Sequence, residues 1–189
     1  MNPDSVRLPV ALAYGQHYYL AQVGIGTMIR DQPQTFNDYY LIMDTGSDLT
    51  WTQCQGGTSY FYQDEPIFPH QDSRTYRPLP CEDHRGLCGE ENCNDQGYCT
   101  YREVYFSGQV TSGDLAIETF TTNSDDEDAF EIVDFLMGCG FEQRNWEGYL
   151  GVLDIGDGHQ LPKSLPQRGT APVAGMLGLG QGGIISLVL

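Results

Sequence analysis

The chain has 189 residues, with 9 Lys+Arg against 26 Asp+Glu, and a formal net charge of −17. Lys163 is its only lysine, which argues against a nucleic-acid partner, because phosphates are gripped by Lys and Arg. No apolar run approaches the roughly 20 residues of a spanning helix, which argues against a membrane partner.

Hydrophobic residues at 40% and aromatics at 12% supply a sizeable core, and 23 glycines, 10 prolines and 12 tyrosines point to a turn-rich β protein. The start, Met1-Asn2-Pro3-Asp4, is polar and acidic with no apolar segment behind it, so it reads as a mature or recombinant form and not as a signal peptide. The acidity suits two settings: solubility near neutral pH through self-repulsion, or an acidic compartment where protonation relieves that repulsion.

In chain order, residues 17–26 alternate large apolar with small or polar residues and read as a strand ending at a glycine turn. Residues 27–37 are polar and punctuated by Pro33, a loop or hairpin tip. Residues 39–43 form a short apolar strand running into the turn-prone Asp44-Thr45-Gly46-Ser47, and 53–98 are irregular. Strands are expected at 101–106 and 114–121, joined by a turn over 107–113, and again at 132–137. Residues 124–128 form an acidic loop and 142–172 a polar surface excursion, and Gly175-Met176-Leu177-Gly178-Leu179-Gly180 reads as a small-residue turn between apolar groups. Helical periodicity is nearly absent, so the fold class is all-β with a disulfide-tied loop insert.

Six cysteines, four of them packed between 81 and 99, point to disulfides and an oxidising compartment. The rival reading is a metal site, but the spacings contain no CxxC pair, and neither a metal nor a cofactor is assigned. Six cysteines allow about 15 connectivities. One of them nests Cys88–Cys93 inside Cys81–Cys99 to staple a polar loop, and leaves Cys54 for Cys139.

The chemistry centres on Asp44. It follows a buried strand directly, so its turn lies at the edge of the core. Gly46 permits close backbone approach, and Thr45 and Ser47 place hydroxyls within reach of the carboxylate. A turn of this composition is ordinary by itself, and its context carries more. The run Tyr39-Tyr40-Leu41-Ile42-Met43-Asp44-Thr45-Gly46-Ser47-Asp48-Leu49-Thr50-Trp51-Thr52-Gln53-Cys54 resembles the N-terminal lobe of pepsin-like aspartic proteases. Asp48-Leu49-Thr50-Trp51-Thr52-Gln53-Cys54 is similar to the plant nepenthesin-type branch, which includes xylanase-inhibitor-like proteins. Val23-Gly24-Ile25-Gly26-Thr27, Pro66-Ile67-Phe68-Pro69, the segment leading to Pro80-Cys81, Gly138-Cys139-Gly140 and the glycine motif at 175–180 extend the likeness over most of the chain.

The resemblance implies a pepsin-like lobe of closed, orthogonally packed sheets spanning 1–189, with a cysteine-rich insert over about 54–99 and a C-terminal lobe outside this chain. It implies that Asp44 is one of two catalytic aspartates, with Thr45, Gly46 and Ser47 as its loop support. Tyr105 would be the flap tyrosine and Trp51 its brace. The disulfides it implies are Cys54–Cys139, Cys81–Cys99 and Cys88–Cys93. The function implied is aspartic endopeptidase in acid, active with a complementary half, on a protein or peptide substrate, in a secreted or vacuolar setting. The alternative is a catalytically inactive homologue acting as a glycoside hydrolase (xylanase) inhibitor or other secreted binding protein.

Three departures stand out. Phe106-Ser107-Gly108-Gln109 replaces the family's usual Gly-Asp-Gly-Ser after the flap tyrosine, Cys54-Gln55-Gly56-Gly57 lacks the expected second cysteine, and 142–172 is long. No second Asp-Thr/Ser-Gly occurs; Asp154-Ile155-Gly156-Asp157 has the shape without the hydroxyl. The partner half is then a separate chain, a remainder of the same chain, or a second copy.

Overall fold

In the computed structural model, residues 9–12, 18–29, 35–123, 129–146, 154–155 and 173–180 are described. The strands are β1 (Val10–Leu12), β2 (Tyr19–Ile25), β3 (Asn37–Asp44), β4 (Trp51–Gln53), β5 (Tyr60–Phe61), β6 (Arg77–Pro78), β7 (Thr100–Val104), β8 (Val110–Asn123), β9 (Ala129–Arg144), β10 (Asp154–Ile155) and β11 (Val173–Gly178). Among the described residues, helix is confined to a 3-10 turn at His70–Asp72 and one α turn, α1, at Arg85–Cys88. The all-β reading therefore holds.

Nine strands form one sheet in the order β1-β2-β3-β11-β4-β9-β8-β6, with β7 on β8. β2 also pairs with β8 through Gly24–Thr121 and Ile25–Phe120, so the path β2-β3-β11-β4-β9-β8 closes on itself. Closure leaves none of these six strands with a free edge; in this sheet, among the described residues, only the short β1, β6 and β7 have a single partner. Side chains of β3 alternate between two apolar clusters. Tyr39 and Leu41 join Phe68, Met137 and Cys139; Ile42 joins Trp51, Phe61 and Trp146, with Tyr40 packed alongside. The strand that delivers Asp44 is thus covered on both faces.

Three strand expectations are corrected. The hairpin turn between β7 and β8 spans residues 105–109, because Val104 pairs with Val110. Gly113 lies inside β8 at a register shift, where an added Cβ would stand 1.9 Å from the Cys139 carbonyl. β8 and β9 run 14 and 16 residues, so β9 carries on through 142–144, which the composition assigns to a surface excursion.

The glycine motif at 175–180 is mostly strand, not turn. β11 slots between β3, to which it is parallel, and β4, to which it is antiparallel. An added Cβ at Gly175 would meet the Trp51 carbonyl at 2.0 Å, and one at Gly178 the Asp48 carbonyl carbon at 2.6 Å. These glycines are there for close approach to neighbouring backbone, not for turning. The acidic run 124–128, most of 142–172 and the apolar end 184–189 lie outside the described residues.

The cysteine-rich insert also differs from expectation. Cys54 is joined to Cys139, but the other four cysteines interlace: Cys81 bonds Cys93 and Cys88 bonds Cys99. This corrects the nested Cys81–Cys99 and Cys88–Cys93 pairs. The cause lies in the backbone. Residues 79–81 lie alongside 97–99 through Cys81 N–H to the Gly97 carbonyl and Cys99 N–H to the Leu79 carbonyl, and Cys93 stands opposite Cys99 on the other side. α1 then folds Cys88 back over Cys99, and Gly89, at φ +59°, turns the chain away toward Cys93. Which sulfurs meet is set by that single helical turn, and spacing does not encode it.

Candidate active site

β3 ends on Asp44, and its turn is held from below by the segment leaving β11. Leu179 N–H donates to the Asp44 carbonyl at 2.8 Å, and Gly180 N–H donates to the Ser47 carbonyl at 2.9 Å. Gly178 N–H donates to Thr50 Oγ1 at 3.2 Å. The backbone around the carboxylate is therefore fixed by pairings to a strand from the far part of the chain.

Each Asp44 oxygen has its own donor. Gly46 N–H reaches Oδ1 at 2.9 Å, and Ser47 Oγ–H reaches Oδ2 at 2.7 Å. Two donors on two oxygens fix the plane of the carboxylate. Asp44 and Ser47 are half-buried, whereas Thr45 and Gly46 are exposed. The half-burial leaves the carboxylate reachable from solvent.

Tyr105 begins the tip of the β7–β8 hairpin. Its N–H donates to the Gln109 carbonyl at 2.9 Å, its carbonyl accepts from Gly108 N–H at 2.8 Å, and Gly108 sits at φ +93°. The buried Trp51 donates its Nε1–H to the Tyr105 hydroxyl at 2.7 Å. Burial pushes the phenol well above its ordinary range; the Trp51 hydrogen bond opposes this, the Asp44 charge adds to it, and a Ser47 hydrogen bond opposes it weakly. Tyr105 is thus a neutral hydroxyl electrostatically coupled to Asp44. Asp44 with Ser47, and Trp51 with Tyr105, are two hydrogen-bonded pairs, linked by the Asp44 charge acting on the phenol. Phe106, next along the hairpin, projects fully into solvent.

One component was invisible in the sequence. Trp146 is buried, with its indole 5.7 Å from the Tyr105 ring, 5.4 Å from Trp51 and 5.3 Å from Phe61 between centroids. It sits in a stretch whose composition reads as polar surface; the available signal was that a tryptophan is seldom left fully in water. Asp154, the imperfect second candidate, lies opposite Phe61 in the β5–β10 ribbon.

A concavity of about 420 Å³ lies elsewhere, lined by His70, Asp114, Asn94 and Phe141 among others, and it involves none of the Asp44 group. Burial lowers the His70 pKa, with the Asp72 charge opposing, and its Nδ1 has no hydrogen-bond partner among the described residues. The His70 ring packs on Tyr76 and Phe141 and lies close to the Cys54 and Cys139 sulfurs, which are already joined to each other.

A closed all-β lobe, with an Asp-Thr-Gly-Ser turn pinned by a glycine-rich strand, defines an aspartic-protease-type lobe. Residues 19–188 match the family model described as xylanase inhibitor N-terminal, and the chain belongs to that family. It is 37% identical over 188 residues to aspartic proteinase nepenthesin-2 of Nepenthes gracilis, covering 95% of this chain and 36% of that protein. It is 36% identical over 171 residues to aspartyl protease AED1 of Arabidopsis thaliana, covering 88% and 33%. Among solved structures, Basic 7S globulin from soybean superposes with a TM-score of 0.57 at 17% identity, over 95% of this chain and 41% of that one. The chain thus spans about a third of the length of the curated relatives it matches.

Proposed function

We propose that this chain supplies one half of the active cleft of an aspartic endopeptidase, with Asp44 as one of its two catalytic carboxylates and Tyr105 on the flap. The observation that carries this reading is the Asp44 carboxylate, oriented by Gly46 and Ser47, whose charge is felt by a hairpin tyrosine tethered by Trp51. The names of the plant relatives support it. The second carboxylate would come from a complementary half: a further lobe of the same protein, a separate chain, or a second copy.

Two carboxylates sharing a site cannot both ionise cheaply, so they hold one proton between them. The ionised member takes a proton from a water lying between the two. The resulting hydroxide attacks the scissile carbonyl carbon while the protonated member donates to the carbonyl oxygen. The leaving amine is then protonated and the C–N bond breaks. Ser47 and Gly46 keep the Asp44 oxygens aimed throughout, and the flap excludes bulk water. Three disulfides suit an oxidising, extracellular or vacuolar setting.

The test is hydrolysis of a denatured protein in acid by the two-lobed protein, with and without pepstatin. Asp44→Asn should lower kcat by at least about 100-fold, leaving the melting temperature in place. Absence of cleavage by the complete protein would overturn the reading and leave a binding protein.

A further inference from the structure

We propose that Asn145 and Trp146 are positioning residues that latch the flap, holding Tyr105 in its working place together with Trp51. The inference rests on the flap role of Tyr105 proposed above, but its geometry stands separately. β8 and β9 pair as far as Val110 and Arg144, where the regular ladder stops and the flap tip begins. The chain beyond Arg144 does not peel away. Asn145, at φ +60°, swings its side chain onto the tip and donates Nδ2–H to the Gly108 carbonyl at 3.0 Å. Trp146 turns inward and donates Nε1–H to the Val110 carbonyl at 2.9 Å, with its ring against Tyr105.

These two donors bracket the last residues of the tip. Gly108 and Val110 flank Gln109, whose carbonyl receives the Tyr105 N–H, so fixing both fixes the turn that carries the tyrosine. Tyr105 is gripped twice, by the Trp51 hydrogen bond on its hydroxyl and by the Trp146 indole on its ring. The tip has few anchors of its own. It has two internal backbone hydrogen bonds and one side-chain bond, from Ser107 Oγ–H to Gln109 Oε1 at 2.6 Å, and Phe106 makes it top-heavy with exposed apolar surface. A two-stranded tip of this kind is marginal alone. The latch offsets that weakness.

Asn145 is exposed and in the left-handed region, so Asn145→Gly keeps the backbone and removes only the donor amide. Trp146→Phe keeps an aromatic ring and removes Nε1–H. In the full-length protein, hydrogen exchange at the Tyr105 and Gly108 amides should quicken about five-fold in each variant, the effect of one lost hydrogen bond. The Leu115 and Cys54 amides, in the body of the sheet, should keep the parental rate. With a peptide substrate, KM should rise, by up to about five-fold, while kcat changes little, because the competent flap is populated less often.

Parental exchange at the tip in both variants would overturn the latch, as would equal quickening at Leu115 and Cys54. Faster tip exchange with an unmoved KM would overturn the positioning role. If the parent protein hydrolyses nothing, the endopeptidase reading falls, and the exchange measurement still decides the latch.

Discussion

The Asp44 turn and the cysteine-rich insert are both irregular segments with at most single helical turns and no long strand of their own, yet they are held in opposite ways. The turn is fixed by backbone hydrogen bonds to Leu179 and Gly180 and by apolar packing around Trp51. The disulfide-bearing part of the insert, residues 81–99, is mostly exposed and polar, and is fixed by two disulfides that close short loops, with sequence separations of 12 and 11. Where the sheet supplies partners on both sides, non-covalent pairing gives a geometry exact enough for chemistry. Where a segment lies outside the sheet and has no core, covalent links restrict the unfolded chain instead. The Cys54–Cys139 bridge, with a separation of 85, ties β4 to β9 in the core and belongs with the first region.

That contrast can be attacked in descending order of effect. Replacing Cys54 and Cys139 together by Ser should cost about 4.5 kcal/mol on loop length alone and lower the urea midpoint of the whole lobe. Removing Cys88–Cys99 in the same way should cost about 3 kcal/mol. It should quicken amide exchange across the insert, while the Leu179 amide, donor to Asp44, stays protected. Loss of protection at Leu179 would show that the two regions are one unit. Gly178→Ala, whose new Cβ would collide with Asp48 backbone, should cost roughly 1–3 kcal/mol and reduce turnover while leaving insert exchange alone.

A smaller effect concerns acid. His70 stays neutral in the folded lobe at pH values where an unfolded imidazole is already charged, because burial lowers its pKa from 6.5. The unfolded state therefore binds more protons, and stability falls as pH drops below that value. The urea midpoint of His70→Phe should fall less than the parent's from about pH 7 to about pH 5. Asp114, whose carboxyl is raised by burial, acts in the opposite sense: the folded state holds its proton longer, which favours the lobe as pH falls. The smallest effect is expected from Arg77→Ala. This residue pairs with Asp134 on the surface, both about half exposed, and its loss should cost under about 1 kcal/mol by thermal melting.

The two regions were also unequally legible. Strands β2 and β3 announce themselves by alternation, and the Asp44 turn by a hydroxyl-and-glycine run after a buried strand. Both signals are local. The role of the glycine motif was hidden because its reason is tertiary: Gly175 and Gly178 answer to the backbones of Trp51 and Asp48, distant in sequence. The disulfide order in the insert was hidden for a similar reason, since the fold of Arg85–Cys88 decides which sulfur faces Cys99. Trp146 was hidden by its polar neighbours, although its ring completes the aromatic group under Tyr105.

The threading of β11 between β3 and β4 has a temporal side. A ribosome delivers residues 37–53 long before 173–180, so on the growing chain β3 and β4 have a gap between them where a neighbour belongs. Such distant pairing is slow to form. The nascent lobe therefore passes through a stage in which Asp44 is already synthesised but its turn still lacks the Leu179 and Gly180 donors that fix it.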